Sequence, residues 1–290
     1  MTPVSPLCEL AFHLDRCICD RMKRIFLSIA IAAATVVAGF PAHANPYASY
    51  LDAKVLPGWR DADGYHMAGL ELTLAPGWKT YWRAPGSAGI PPSFNWSGST
   101  NLAGVEVIWP RPHVFDLDGL RSIGYKDRVV LPLRVTPQDG AAPVVLKGDI
   151  QLGICETVCV PLDVRVTADL AANQTRRAPA IAAALAGRPY SASEAKLRKA
   201  ICKVSPTKEG LELEARLDMP SSGGDEVTVF ETALPDVLVS DSTSHREGNT
   251  LVSHAKIVSY GGPVVIDRSR LRITVLGSNY AVELVGCDAR

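Results

Sequence analysis

The sequence lacks an excess of either charge: 30 Lys and Arg residues balance 30 Asp and Glu residues, and no basic run stands out. Proteins that bind nucleic acids or anionic membrane surfaces carry an excess of basic residues, so neither partner is expected. The six histidines are scattered, and no CxxC or HxxxH pair occurs. A closed zinc site needs about four Cys or His ligands, so we expect neither a metal nor another cofactor.

Long apolar runs are also scarce, and the one example lies near the start. Residues 25–40 form an apolar run of 16 residues, preceded by the basic stretch MKR, which begins at Met22, and followed by AHA, which ends at Ala44. A membrane-spanning helix needs about 20 apolar residues. Residues 1–44 are therefore predicted to hold a secretory signal peptide that is cleaved after Ala44, with Met22 as the true start.

The predicted mature chain, residues 45–290, has 26 basic and 27 acidic residues. We expect it to be periplasmic, with no stable insertion in the membrane. Of the seven cysteines, three fall in the predicted leader: Cys8, Cys17 and Cys19. The other four enter an oxidising compartment, where disulfides form, and allow three pairings. These four are Cys155, Cys159, Cys202 and Cys287.

Apolar residues of the mature chain recur mostly at every second position, as in strands with one buried face. Residues 66–74 show this alternation, and DRVVLPLRV, PVVLKGDIQL and VPLDVRVTADL predict further strands. Pro132 predicts an edge position or a bulge, since proline cannot donate to a sheet ladder. Residues 45–170 are therefore predicted to form an all-β sandwich.

The pattern changes over residues 171–200. The alanine-rich stretches RRAPAIAAALAGRPY and SASEAKLRKA predict a short helical linker, with Ser191 or Ser193 as the cap of its second helix. Alternation returns at Leu211, and LGSN within LRITVLGSNYAVELVGC predicts a hairpin turn. Residues 201–290 are therefore predicted to form a second, smaller β domain.

Cys202 lies just before the first strand of this second domain, and Cys287 lies at the end of its last strand. If these two strands lie side by side, the cysteines meet in a disulfide that closes a loop of about 85 residues, worth about 4 to 5 kcal/mol on the chain-entropy model. We therefore predict a structural disulfide between Cys202 and Cys287. Two separate buried thiols are the alternative.

Cys155 and Cys159 lie four positions apart in GICETVCVP. In a straight strand their Cα atoms would be about 13 Å apart, whereas a disulfide needs about 4.4 to 6.8 Å, so the segment must bend. Gly153 and Pro161 are compatible with such a turn or bulge. So small a ring adds little stability, and a short disulfide in a loop is easier to reduce, which favours a redox role. A metal site and a plain structural disulfide remain the alternatives.

The local charge refines the redox interpretation. No Lys, Arg or His lies between Gly153 and Leu162, whereas Glu156 and Asp163 are acidic. Nothing close in sequence would therefore lower a cysteine pKa. Our hypothesis is that the pair is a substrate-like shuttle disulfide, attacked by an activated thiol of a partner, rather than an autonomous catalyst.

Four motifs then occur in a fixed order: GWKTYWRAPGSAGIPPSFNW, WPRPHVF, GYKDRVVLPL and CETVCVP. Over about residues 50–170 they resemble the amino-terminal domain of the DsbD and ScsB thiol:disulfide interchange proteins. The resemblance implies an immunoglobulin-like β-sandwich whose cysteine pair accepts electrons from a thioredoxin-like domain, itself supplied by a membrane-embedded core, and passes them to periplasmic thiol proteins. It makes Cys155 and Cys159 the redox pair, Tyr81 and Tyr125 its aromatic neighbours, and Phe115 an aromatic cap over the disulfide.

Two features depart from that family. The C-x3-C spacing is nearer to the ScsB pattern than to the longer DsbD spacing, and neither a transmembrane core nor a thioredoxin domain follows. The reductant is therefore expected to be another protein, either a thioredoxin-like reductant or a membrane electron-transfer protein. We predict a periplasmic thiol:disulfide oxidoreductase that shuttles electrons to thiol client proteins. The alternative is a non-enzymatic adaptor or copper-handling module, with structural or metal-binding cysteines and a role in copper tolerance.

Overall fold

Residues 45–117 and 119–289 are described by the computed structural model, and most of them lie in β-strands. The predicted signal peptide, with its three cysteines, lies outside the described residues. Within them there is one α-helix, α1 (Pro179–Ala186), and there are two short 3₁₀ turns, Ala48–Tyr50 and Arg268–Arg270. The predicted fold class, all-β with an immunoglobulin-like sandwich, is confirmed.

The described part of the first sandwich consists of a four-stranded and a six-stranded sheet, both antiparallel. Its strands are β1 (Leu51–Arg60), β2 (His66–Leu74), β3 (Lys79–Tyr81), β4 (Ser93–Asn95), β5 (Leu102–Val107), β6 (His113–Leu117), β7 (Leu120–Lys126), β8 (Arg128–Pro137), β9 (Val144–Cys155) and β10 (Cys159–Leu170). The four-stranded sheet has the order β1-β2-β8-β5. The six-stranded sheet has the order β10-β9-β3-β7-β6, with β4 paired to β9.

The two sheets pack through every second residue of their strands. In β9 the inward residues Leu146, Ile150 and Ile154 are almost fully buried, and they join one apolar cluster with residues of β2 and β8. Side chains of this size contribute about 1.5 to 3 kcal/mol each when they are fully buried. Because side chains alternate along a strand, Gly153 and Cys155 lie on the opposite, outer face of the six-stranded sheet.

The second sandwich follows with a further pair of sheets. Its strands are β11 (Tyr190–Ser191), β12 (Lys199–Thr207), β13 (Gly210–Asp218), β14 (Val227–Glu231), β15 (Val237–Val239), β16 (Thr243–Glu247), β17 (Thr250–Ser259), β18 (Arg272–Leu276), β19 (Ala281–Val285) and β20 (Asp288–Ala289). One sheet has the order β11-β19-β18-β14, and the other β15-β17-β13-β12-β20, with β16 paired to β17. The β18–β19 pair is the antiparallel hairpin that LGSN predicts.

The helix α1 covers the outer face of the four-stranded sheet. Ile181 is fully buried beside Trp59 and Met67, in a small apolar cluster separate from the main core. A Cβ at Gly69 would lie 2.9 Å from the Ile181 side chain, so the glycine in β2 leaves the space that the helix fills. The alanine-rich stretch therefore forms a helix that is stabilised by packing on the first sandwich.

The prediction of a second linker helix capped at Ser191 or Ser193 is wrong. Ser191 belongs to β11, and turns lead from it to β12. The Glu194 carboxylate accepts hydrogen bonds from the Ser191 backbone N–H and hydroxyl and from the Arg188 guanidinium. Ser191 Oγ also accepts from the Glu194 backbone N–H, so these two residues make the reciprocal bonds of a helix start, but the segment forms only turns before β12.

Pro132 also departs from the prediction, because β8 lies inside its sheet, between β2 and β5. The Pro132 carbonyl accepts from the backbone N–H of Ile108, just beyond the end of β5. In an antiparallel ladder the N–H and C=O of one residue point to the same neighbouring strand. The missing N–H therefore faces the end of β5, and the ladder with β2 loses no bond.

The two sandwiches share an apolar boundary. Leu276 and Ala281, at the turn end of the β18–β19 hairpin, belong to the same buried cluster as the core of the first sandwich. Val227 and Val229 of β14 pack against that cluster from the same sheet. The sheet β11-β19-β18-β14 therefore lies against the first sandwich. Among the described residues, no helix has the length and hydropathy to cross a membrane.

Candidate functional site

Cys155 and Cys159 face each other at the tip of the β9–β10 hairpin. They are Cα partners at the end of the ladder, 4.1 Å apart, and the structure joins them in a disulfide. Residues 156–158 form the three-residue turn between the strands. The bend that the spacing requires is thus a hairpin turn, whereas Gly153 and Pro161 lie within the strands, paired with each other.

The two cysteines differ in their exposure to solvent. Cys155 is only 6% exposed, whereas Cys159 is exposed to solvent, and Val158 in the turn beside it is 65% exposed. An incoming thiolate needs access to one sulfur along the axis of the S–S bond. The exposed Cys159 offers that access, whereas the buried Cys155 does not.

Tyr81 lies directly against the disulfide. Its hydroxyl is 2.8 Å from Cys159 Sγ, and because a disulfide sulfur carries no proton, the tyrosine is the donor. The ring is held between two glycines: a Cβ at Gly153 would lie 2.9 Å from it, and a Cβ at Gly89 would lie 2.8 Å from it. The glycine in GICETVCVP therefore makes room for an aromatic ring.

Lys79 is a site residue that the sequence analysis missed. It is the Cα partner of Cys155 across the β3–β9 ladder, and directly opposed residues present their side chains on the same face. Its Nζ donates to Ser122 Oγ at 3.0 Å and lies 5.0 Å from the centroid of the Phe115 ring. A cation from another strand thus lies on the face of the disulfide. Its position two residues before Tyr81 in KTYW was the available signal, since residues i and i+2 of a strand share a face.

Phe115 lies on the β6–β7 hairpin, which curves over this face. Ser122 is four residues along β7 from Lys126, the Cα partner of Lys79, a distance of about 13 Å in a straight strand. The lysine side chain, the hydrogen bond and the serine side chain together bridge this distance, so the Lys79 ammonium points along β7 towards the β6–β7 hairpin. The half-buried Phe115 is the Cα partner of Ser122, and its ring contacts the Lys79 ammonium, although β7 and β3 lie between its strand and β9.

Tyr125 is not brought to the disulfide. It pairs with Thr80 rather than with Lys79 or Tyr81, so its side chain lies on the inner face of the sheet, within the core cluster. Its hydroxyl donates to the Pro110 carbonyl at 2.8 Å. Among the predicted aromatic neighbours, the structure places Tyr81 and Phe115 on the outer face and Tyr125 on the other side.

Burial raises the pKa of one side chain at the site and lowers that of another. Desolvation raises the pKa of Tyr81, so the hydroxyl keeps its proton at neutral pH and remains a donor to sulfur. Desolvation lowers the pKa of Lys79, because the ammonium group is partly removed from water. A thiolate formed nearby would offset that cost, since opposite charges stabilise one another at short range.

Cys202 and Cys287 are joined in the second sandwich, with Cα atoms 5.7 Å apart. Cys202 lies within β12, not before the first strand as predicted, and β12 lies parallel to the two-residue strand β20, which follows Cys287, rather than beside the long strand β19. Cys202 is fully buried in the core cluster. No group of three or more His, Cys, Asp or Glu side chains with the geometry to hold a metal occurs among the described residues.

Comparison with known proteins agrees with this arrangement. Residues 52–171 match the family described as "Thiol:disulfide interchange protein DsbD, N-terminal". The crystal structure of the N-terminal periplasmic domain of ScsB from Proteus mirabilis has a similar fold, with a TM-score of 0.62 and 22% sequence identity, over 85% of this chain and 96% of that chain. No curated protein matches this sequence. Residues 52–171 are therefore similar in sequence to the amino-terminal domain of DsbD, and the chain shares its fold with the periplasmic domain of ScsB.

Proposed function

We propose that this protein is a periplasmic thiol:disulfide interchange protein that carries electrons on the Cys155–Cys159 pair. One observation supports this most: the disulfide lies at a hairpin tip, with Cys159 exposed and the hydroxyl of Tyr81 2.8 Å from its sulfur. A disulfide of this placement can be attacked without unfolding the sandwich. The family match of residues 52–171 supports the same chemistry.

In the first step, the thiolate of a reduced partner attacks Cys159 Sγ. The S–S bond breaks, a mixed disulfide joins the partner to Cys159, and Cys155 leaves as a thiolate. The second thiol of the partner then attacks its own sulfur in the mixed disulfide and releases Cys159. The partner is thereby oxidised to a disulfide, and the protein is reduced to a dithiol.

Three side chains assist these steps. Tyr81 donates to Cys159 and stabilises negative charge on that sulfur when it is released. Lys79, opposite Cys155, stabilises the thiolate that leaves in the first step. Phe115 covers the face beside Lys79 and limits the access of water and of unselective thiols.

The dithiol then reduces the disulfide of a client protein by the same exchange in reverse. We propose a thioredoxin-like reductant or a membrane electron-transfer protein as the donor, and periplasmic thiol proteins as the clients. The location follows from the predicted cleavage after Ala44, and the similar ScsB domain is itself described as periplasmic.

The first test is the reduction potential of Cys155–Cys159 in the mature protein, measured by thiol trapping and mass spectrometry in defined glutathione or dithiothreitol buffers. We expect a value above about −300 mV, with Cys202–Cys287 still oxidised. If the pair is as hard to reduce as Cys202–Cys287, or if its thiols stay free and take up copper, the shuttle is wrong and the adaptor or copper-handling module is favoured.

The order of attack is tested with two matched variants. Cys155→Ser leaves the exposed Cys159 as a single thiol, which should trap a thioredoxin-like protein in a stable mixed disulfide. Cys159→Ser leaves only the buried Cys155, which should trap far less. Equal trapping by both variants would contradict attack at Cys159, although not the shuttle itself.

A further inference from the structure

The chain that leaves β3 after Tyr81 is bound at once by the second sandwich. Arg83 extends a two-pronged contact to Glu231, with its Nε and one terminal nitrogen each 2.9 Å from a carboxylate oxygen. The same terminal nitrogen is 2.5 Å from an oxygen of Glu283. One guanidinium group, two residues from Tyr81, thus joins β14 and β19 to the first sandwich.

This ion cluster is largely sheltered from water. The side chains of Arg83, Glu231 and Glu283 are 18%, 22% and 24% exposed. The guanidinium also stacks 4.2 Å above the ring of Trp82, which is fully buried in the core of the first sandwich. Losing Arg83 would leave the half-buried Glu231 without this partner, whereas Glu283 would keep Arg272, so Arg83 is the charge that ties both strands to the first sandwich.

A second contact holds the same segment further along. Ser87 Oγ donates to the Asp241 carboxylate at 2.7 Å. Residues 82–92 then return to the disulfide: Gly89 lies against the Tyr81 ring, and Ile90 lies against the backbone of Gly153. The far end of the segment therefore packs against two residues beside the disulfide, whereas Arg83 and Ser87 are bound by the second sandwich.

The hairpin that carries Phe115 is bound in the same way. Arg121, in β7, donates from its guanidinium to the Ser242 carbonyl at 3.0 Å. Arg111, two residues before β6, donates to the Ser278 carbonyl at 3.2 Å. The second sandwich thus contacts both the segment that packs on Tyr81 and Gly153 and the hairpin that carries Phe115.

We propose that the second sandwich positions residues 82–92 and the β6–β7 hairpin beside the disulfide, with Arg83 as the main positioning residue. It thereby sets how fast small thiols reach the Cys155–Cys159 bond. This inference rests on the proposed function and gives the second domain a part in it. Arg83 touches no reacting atom; it acts through Tyr81 and through residues 82–92. Freeing this segment should let Tyr81 and Ile90 move away from the bridge.

The test measures the rate at which dithiothreitol reduces Cys155–Cys159 in the full mature protein, by acid quench, alkylation and mass spectrometry. Arg83→Ala and the double variant Glu231→Gln/Glu283→Gln should each raise the rate by about threefold or more, because local opening then becomes easier. Arg216→Ala is the matched control, since Arg216 forms a similar ion pair with Glu247 within the second sandwich. Its rate should equal that of the wild type.

The melting temperature and the intact Cys202–Cys287 bond report on the fold. Variants at Arg83 and its partners that lower the melting temperature but reduce at the wild-type rate would overturn the proposal, as would an equal increase in the Arg216→Ala control. If Arg83→Ala does not fold, Asp241→Asn, at an exposed contact, tests the same segment, with the same increase expected and an unchanged rate counting against it. Failure of the shuttle would appear separately, in the reduction potential of the wild type. The rates of the variants relative to the wild type do not depend on that potential, since they can be compared at any dithiothreitol concentration.

Discussion

The two disulfides of this protein differ in the length of the loop they close and in their exposure to solvent. Cys155–Cys159 joins residues four apart at a hairpin tip, with one exposed sulfur-bearing residue. Cys202–Cys287 joins residues 85 apart, and Cys202 is fully buried in the core of the second sandwich. Loop length and access therefore separate a bond suited to stabilising a fold from one suited to exchange.

The neighbours of the two bonds differ as much as their loops do. The Tyr81 hydroxyl donates to Cys159 Sγ in the first bond, and Lys79 is the Cα partner of Cys155, so a donor and a basic residue lie on that face of the sheet. The second bond is packed among apolar side chains such as Leu213 and Ile273. Apolar burial disfavours a thiolate and so slows exchange.

The largest expected effect comes from removing each bond in turn. On the chain-entropy model, Cys202→Ser/Cys287→Ser should lower the free energy of unfolding by about 4 to 5 kcal/mol, whereas Cys155→Ser/Cys159→Ser should lower it by only about 2 kcal/mol, because its loop is so short. Denaturant titration of both double variants measures the difference. Equal losses would remove the stability side of the comparison.

Much of this arrangement could be predicted from the sequence. Period-two alternation indicates the strands, and the spacing of Cys155 and Cys159 requires a bend, because a disulfide cannot span a straight strand of that length. Both inferences depend on local geometry, which the sequence states directly. The family match to residues 52–171 agrees with the four motifs that span about residues 50–170.

What the sequence could not reveal depends on pairing between distant strands. Lys79 and Cys155 are 76 positions apart, and only the β3–β9 register makes them neighbours. Tyr125 is in a motif of the family, yet strand alternation turns it to the inner face. The Ser191 region has helical composition and makes the local bonds of a helix start, yet it forms only turns before β12. For Lys79 and Tyr125, strand pairing decided what the local pattern left open.

A smaller effect is expected from Lys79→Met. This substitution removes the positive charge on the residue opposite Cys155, so the site becomes apolar there, like the surroundings of the second disulfide. An ammonium on the residue opposite Cys155 favours the thiolate of that cysteine, so its removal is expected to raise the pKa of the Cys155 thiol. In a reduced protein that also carries Cys159→Ser, the rate at which Cys155 reacts with a small disulfide rises as this thiol ionises. Its pH midpoint should therefore move upwards with Lys79→Met, with slower reaction near neutral pH and no loss of rate well above the midpoint, where a more basic thiolate is the better nucleophile.

The control for this prediction is Lys256→Met, since Lys256 is an exposed partner of Glu209 in the second sandwich. It removes the same charge far from β3 in sequence and outside the first sandwich. Its pH profile should match the wild type. An unshifted profile for Lys79→Met would mean that this ammonium serves only to hold Ser122 and Phe115.

The smallest expected effect comes from one hydroxyl. A hydrogen bond to an ionised group is stronger than one to a neutral group, so Tyr81 stabilises a Cys159 thiolate more than it stabilises the disulfide. Tyr81→Phe should therefore make reduction less favourable by about 1 kcal/mol, which corresponds to a potential lower by about 20 mV for two electrons. Tyr125→Phe is the matched control: it also loses a buried hydrogen bond, to Pro110, but on the inner face. It should lower the free energy of unfolding by about 1 kcal/mol and leave the potential unchanged. A shift in potential for Tyr125→Phe but not for Tyr81→Phe would reverse the roles that the two faces of the sheet assign to these residues.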